Sequence, residues 1–249
     1  MNKDKVLLDG LISKGAEVRS LDVSDSELSK INDLTLAPLK KEDVFVFKVA
    51  ICDNDIDRQH ERFSLKAIED MAELFIGKPL IKDHDRKADN QIGRIYDTEV
   101  IASDEVVTET GEAYTQLVAH CYVLDTDTNK DLIADIKGGI KKEVSVNLRV
   151  NKAVCSICGT DNAKEMCDHW WGREYDGQKC HFKLDDPVDA FEVSFVAVPA
   201  QAKAGTIKEY SKKEKEVEKN DVSKEKELNL KLKALDAYVY IQNQKIEEE

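Results

Sequence analysis

Residues 141–150 read KKEVSVNLRV, and in an extended chain this alternation sends Val144, Val146 and Leu148 to one face and Glu143, Ser145, Asn147 and Arg149 to the other. A strand with one apolar and one polar face lies on a core and turns its second side outward. Upstream, residues 130–137 place Leu132, Ile133 and Ile136 on one helical face that ends at Gly138-Gly139. Ahead of that helix, Ala113 to Leu124 and Ile92 to Ile101 read as two strands of a meander joined through a turn holding Gly111, with a short strand around Leu80 and Ile81 before them. Ser64 caps a predicted helix whose Leu65, Ile68, Ala72 and Phe75 share a face, and Gly77 and Pro79 end it. Val44 to Cys52, VFVFKVAIC, is a predicted buried strand, and FEVSFVAV at 191–198 is another, stopped by Pro199. Many alternating segments joined by turns, with few helices between them, predict an α+β fold with a mainly antiparallel, barrel-like sheet and surrounding helices.

The chain has 249 residues, 41% of them hydrophobic, which suffices for a proper core. Three regions are predicted: a polar N-terminal arm over 1–42, a body over 43–207 that contains a cysteine-rich insert at 151–181, and a charged tail over 208–249. The tail carries 10 Lys and 11 Asp or Glu in 42 residues without Gly or Pro, a composition that suits a solvated helix or disorder. No apolar run approaches the roughly 20 residues of a membrane crossing, and residues 1–15 lack the continuous apolar region of an export signal, so a cytoplasmic protein is expected. The formal net charge of −13 disfavours a general nucleic-acid binder, which needs a basic face.

Two features suit a nucleophilic site. Ser145 stands on a rigid strand, on the face away from the core. His84 follows the short strand at Leu80 and Ile81, flanked by Asp83 and Asp85. A serine hydroxyl is a poor nucleophile at neutral pH, and a neutral imidazole beside it is the commonest group that removes its proton; a third residue then fixes the ring tautomer. His120 reads as a surface residue of its strand, and His60 receives no role.

The blocks DNDIDRQHERFS, FIGKPLIKDHD, QIGRIYD, GIKKEVSVNL and DAFEVSFVAVPAQAKAG resemble, in order and spacing, the tailed-phage prohead (capsid maturation) serine proteases, over about Val44 to Gly205. In that family and the related herpesvirus assemblins, a histidine of the first half and a strand-borne serine form the catalytic pair. The resemblance assigns these roles to His84 and Ser145. Where the assemblins use a second histidine at the start of a later strand, this sequence has Glu192, which becomes the preferred third member because a carboxylate also orients an imidazole. Asp85, Asp83 and Glu143 are the alternatives. The resemblance further implies an assemblin-like barrel, phage major capsid and scaffold proteins as substrates, action inside the assembling prohead in the host cytoplasm, and room for a homo-oligomer, with no membrane or nucleic-acid partner. The competing reading is a catalytically inactive scaffolding protein of the same fold.

Four of the six cysteines lie between Cys155 and Cys180. Cys155 and Cys158 form a CxxC followed by Gly159, the knuckle turn that lets two thiolates converge on one tetrahedral ion, and zinc prefers such sulfur and nitrogen ligands. Cys155, Cys158, Cys167 and His169 are the chosen ligands, with Cys180 as substitute for His169 and His181 last. Four protein ligands close the coordination sphere, so the expected zinc is structural. Trp170 and Trp171 are expected to pack this knuckle against the body.

Overall fold

In the computed structural model, which describes residues 23–201 and 204–206, strand β1 (Val44–Asp53) is buried on both faces. That is why VFVFKVAIC is almost continuously apolar. Phe45, Phe47, Val49 and Ile51 enter the main core, while Val44 and Val46 point to a second cluster with Ile31, Tyr96 and Tyr122. Ile31 belongs to helix α1 (Asp25–Asn32), whose first turn is closed by a capping box between Ser24 and Glu27. The arm expected over 1–42 is therefore docked through residues 23–42. Fully burying a side chain such as Ile31 contributes about 1.5–3 kcal/mol.

The chain continues through β2 (Glu61–Phe63), α2 (Leu65–Phe75), β3 (Pro79–Lys82), β4 (Gly93–Val107), β5 (Ala113–Leu124), α3 (Lys130–Lys137), β6 (Val144–Cys155), β7 (Glu174–Tyr175), β8 (Gln178–Lys179), β9 (Phe182–Phe195) and β10 (Gly205–Thr206). Ser64 caps α2 by accepting from the Ala67 amide. The buried face of α2 is Ala67, Ile68, Met71 and Phe75, and Leu65, expected on that face, is exposed because the helix is rotated toward β9.

The main sheet runs β10-β1-β5-β4-β3-β9-β2, with β6 paired to β9. It is mainly antiparallel, but β2 and β3 both lie parallel to β9, at Glu61–Phe63 against 182–184 and at Leu80–Lys82 against 193–195. Two short strands thus share one edge of β9 while β6 takes the other. No long strand remains to join this end to β10, and among the described residues only the isolated bridge Glu143–Gly205 spans the gap. The sheet is α+β in character but not closed into the expected barrel.

The predicted strand at 191–198 is the end of a much longer one. β6 and β9 form a hairpin paired from Val144 and Phe195 to Cys155 and Phe182. The insert expected over 151–181 therefore begins within β6, and its loop is the tip of that hairpin. The tail expected over 208–249 and residues 1–22 of the arm lie outside the described residues.

Buried Arg62 of β2 donates to both carboxylate oxygens of Glu112, at 2.7 and 2.9 Å. These hydrogen bonds hold the Glu112 carboxyl below its ordinary 4.5. A depressed carboxylate stabilises the fold above the ordinary pKa, and the contribution is lost as pH falls through the folded value. The thermal midpoint of the wild type should thus drop on acidification below about pH 4.5. Glu112→Gln should be less stable at neutral pH and show a shallower drop in that window, as a pH series of thermal melts would reveal.

Candidate active site and metal centre

The register of three strands sets the candidate site. Ser145 of β6 is paired with Ser194 of β9, and Ser194 is paired on its other side with Ile81 of β3. Directly paired residues share a face, with Cβ atoms about 5 Å apart. Asn147 is paired with Glu192, so Ser145, Asn147, Glu192 and Ser194 form one polar patch, while Val144, Val193 and Phe195 enter the core behind it.

His84 reaches this patch from the turn after β3. Asp83 and His84 have φ of 52° and 55°, and the Asp85 amide donates to the Lys82 carbonyl at 3.0 Å. Two consecutive left-handed residues are what a type I′ turn requires, and non-glycine residues pay a conformational penalty there. The turn is tied down by the Asp83 amide to the Phe195 carbonyl at 3.0 Å and by the His84 amide to Ser194 Oγ at 3.0 Å.

The His84 ring meets Glu192 with 2.8 Å between Nδ1 and Oε1. Glu192 is only 2% exposed, and its Oε2 accepts from the Ser194 hydroxyl at 2.6 Å. A carboxylate that accepts at both oxygens selects the ring tautomer with its proton on Nδ1 and leaves Nε2 as the acceptor nitrogen. Of the alternative acids, Asp85 pairs with Lys87 at 2.9 Å and Glu143 with Lys142 at 3.3 Å, while Asp83 contributes its backbone to the turn.

His84 and Ser145 line one cavity of about 340 Å³. The Ser145 hydroxyl is half-buried and makes no hydrogen bond to a described residue. No described residue competes for its proton. One wall of the cavity is the turn at 57–61, where Asp57 Oδ1 accepts the amides of Gln59 and Glu61. Burial first, and the Asp57 charge second, push the Glu61 carboxyl above its ordinary range. Arg58 clips this turn to the segment after β9 through the carbonyls of Pro199 and Ala200. Gln201 fixes that segment by pairing its side-chain amide with both backbone groups of Asp53.

At the tip of the β6–β9 hairpin, one ligand atom from each of Cys155, Cys158, Cys167 and His169 lies within 4.8 Å of the others. The Thr160 hydroxyl beside Cys158 lowers that thiol to about 6, whereas burial raises Cys155 to about 12. Contacts with Cys167 first and Cys158 second raise His169 above its ordinary value. His169 Nδ1 is buried without a hydrogen-bond partner among the described residues, which suits a nitrogen placed for a metal. Cys180, the substitute ligand, is buried 3.8 Å from Cys155 but outside the set of four. Trp171 stands edge-on to Phe182 at 5.7 Å, yet both tryptophans remain half exposed, so of the two it is Trp171 that packs on the sheet.

His120 is not the expected surface residue: its side chain is 13% exposed, 3.5 Å from Glu99 and edge-on to Tyr96, away from the cavity. Two contributors went unread in the sequence. Ser194 lies two residues after Glu192 and so on its face, a relation the strand period already contained. His60 packs against Gly172 of the insert, where an added Cβ would sit 2.6 Å from its ring, and its carbonyl accepts from the Phe182 amide at 2.9 Å. No local pattern marks that contact, because the residues meet only once the hairpin has formed.

Compared with known proteins, the chain matches no family model, no curated protein and no solved structure.

Proposed function

We propose that the protein is a serine endopeptidase in which Ser145 is the nucleophile, His84 the general base and Glu192 the residue that orients the base and stabilises its protonated form. The observation that carries this reading is the 2.8 Å contact between His84 Nδ1 and buried Glu192, with the ring and Ser145 on the wall of one cavity. His84 Nε2 takes the Ser145 Oγ proton as the oxygen attacks a peptide carbonyl, then returns it to the leaving amine. The carboxylate favours the imidazolium formed between those steps. The resemblance of the sequence blocks to prohead proteases supports phage capsid and scaffold proteins as substrates, cut during assembly.

The Cys155, Cys158, Cys167 and His169 set would hold a zinc ion whose closed shell supplies folding energy to the hairpin tip. All four ligands come from the protein, and none is shared with His84 or Ser145.

The test is to co-express the chain with the scaffold and capsid proteins of its own genome and map new termini by mass spectrometry. Discrete cuts that vanish with Ser145→Ala support the reading, and an unchanged peptide map from the wild type favours a structural protein of the same fold. Glu192→Gln sharpens the test. A glutamine offers one carbonyl oxygen where two acceptors are in use, so either the ring N–H or the Ser194 hydroxyl loses its partner. Turnover should fall by about 10³ to 10⁴-fold with little change in KM, leaving residual cleavage above background. Full activity in this variant would move the third role to another residue.

A further inference from the structure

We infer that Ser194 is a positioning residue of the site, holding the histidine by its backbone and the carboxylate by its oxygen. The inference rests on the peptidase reading for its catalytic meaning, but its geometry is independent of it. Three hydrogen bonds form a closed ring. The His84 amide donates to Ser194 Oγ at 3.0 Å, the Ser194 hydroxyl donates to Glu192 Oε2 at 2.6 Å, and His84 Nδ1 meets Glu192 Oε1 at 2.8 Å.

Each member needs the others. Glu192 sits at 2% exposure and Ser194 at 0%, so neither can exchange its partner for solvent. A buried carboxylate with one oxygen unpaired is costly and would turn to regain a partner. The left-handed His84 has no conformational preference for its place in the turn and is kept there by bonds from outside it. A hydroxyl is the smallest group that can accept from the amide and donate to the carboxylate at once. Alanine would lose both bonds. Ser194 also faces Ser145 across the β6–β9 ladder, so the same atom fixes the base relative to the strand that carries the nucleophile.

Ser194 touches neither substrate nor the reacting atoms, so its effect should appear in the chemical step and not in binding. The probe is a fluorophosphonate, which labels an activated serine. In Ser194→Ala the limiting labelling rate of Ser145 should fall by about 10²-fold, the loss expected when a catalytic group drifts by about 1 Å, while the half-saturating probe concentration stays within about twofold. A limiting rate within twofold of wild type, or a loss in binding alone, overturns the assignment.

Two measurements do not depend on activity. In the wild type, hydrogen exchange at the His84 amide should be as slow as at strand amides despite its place in a turn; fast exchange overturns the inference without any variant. The downfield proton resonance of His84 Nδ1–H should shift or broaden in Ser194→Ala, and an unchanged resonance counts against the role. If the wild-type serine is never labelled while the exchange and resonance results hold, the peptidase reading fails and the assignment of Ser194 stands.

Discussion

Ser145→Ala is expected to abolish cleavage, with a loss on the order of 10⁶-fold in turnover, while the thermal midpoint barely moves. The loss is large because no other hydroxyl and no thiol is among the described residues that line the cavity, and nucleophile and base act as a unit. The stability effect is small because the Ser145 hydroxyl makes no hydrogen bond to a described residue. Deleting it leaves no buried group unpaired, so a change within about 0.5 kcal/mol is expected. Intact substrates from the variant beside cut substrates from the wild type, with superimposable melting curves, would support the role. Cleavage that persists at the same sites in purified Ser145→Ala would end the serine mechanism for this chain.

The second large effect concerns the hairpin tip. Purified protein is expected to contain about one zinc per chain, and structural zinc in comparable short modules contributes about 10–16 kcal/mol of apparent binding energy. Chelation, or Cys155→Ser, should therefore loosen residues 156–181, visible as proteolytic cuts there before the body unfolds. The loosening has a path to the cavity. Gly172 rests on His60, the Phe182 amide binds the His60 carbonyl, and Asp57, Gln59 and Glu61 of the same turn form a cavity wall. Activity should decline in step with disorder of the insert, mainly through weaker substrate binding. Immediate loss of cleavage from a fully folded, zinc-stripped protein, restored at once by zinc, would require the metal in the chemistry and displace this account. A metal-free preparation with Cys158 and Cys167 reactive and the insert still ordered would remove zinc from it.

The readability of this fold follows the range of the forces that set each element. The bounds of α3 and β5, Lys130–Lys137 and Ala113–Leu124, agree with the sequence reading because glycine stops, charge and periodicity act within a few residues. The Ser64 cap is equally local. Ile68 and Phe75 lie on the buried face of α2 as expected, while Ala67 and Met71 take the places expected for Leu65 and Ala72, since which stripe is buried depends on β9, more than a hundred residues later. β2 was missed because three residues, ERF, carry no period, and they are extended only by pairing with Phe182–Leu184. Sheet closure is a property of edges, and no alternation pattern states how many short strands share one edge. His84, Ser145 and Glu192 could be named from chemistry and resemblance, and the geometry joins two of them directly. Ser194 carried no resemblance of its own and was legible only as the residue two places beyond Glu192.

β9 carries a kinetic consequence. His84 and Glu192 are 108 residues apart, and their contact depends on the parallel pairing of β3 with β9, whose loop-closure entropy must be met before any bond in the ring is gained. Pairings of this separation belong to the slow end of folding. An emerging chain can complete α1, the β4–β5 meander and α3 while its histidine still has no carboxylate to face. The contact of His84 with Glu192 is thus absent from every intermediate that lacks β9, and on the proposed peptidase reading a ribosome-bound or partly folded chain would be inactive until nearly the whole body has condensed.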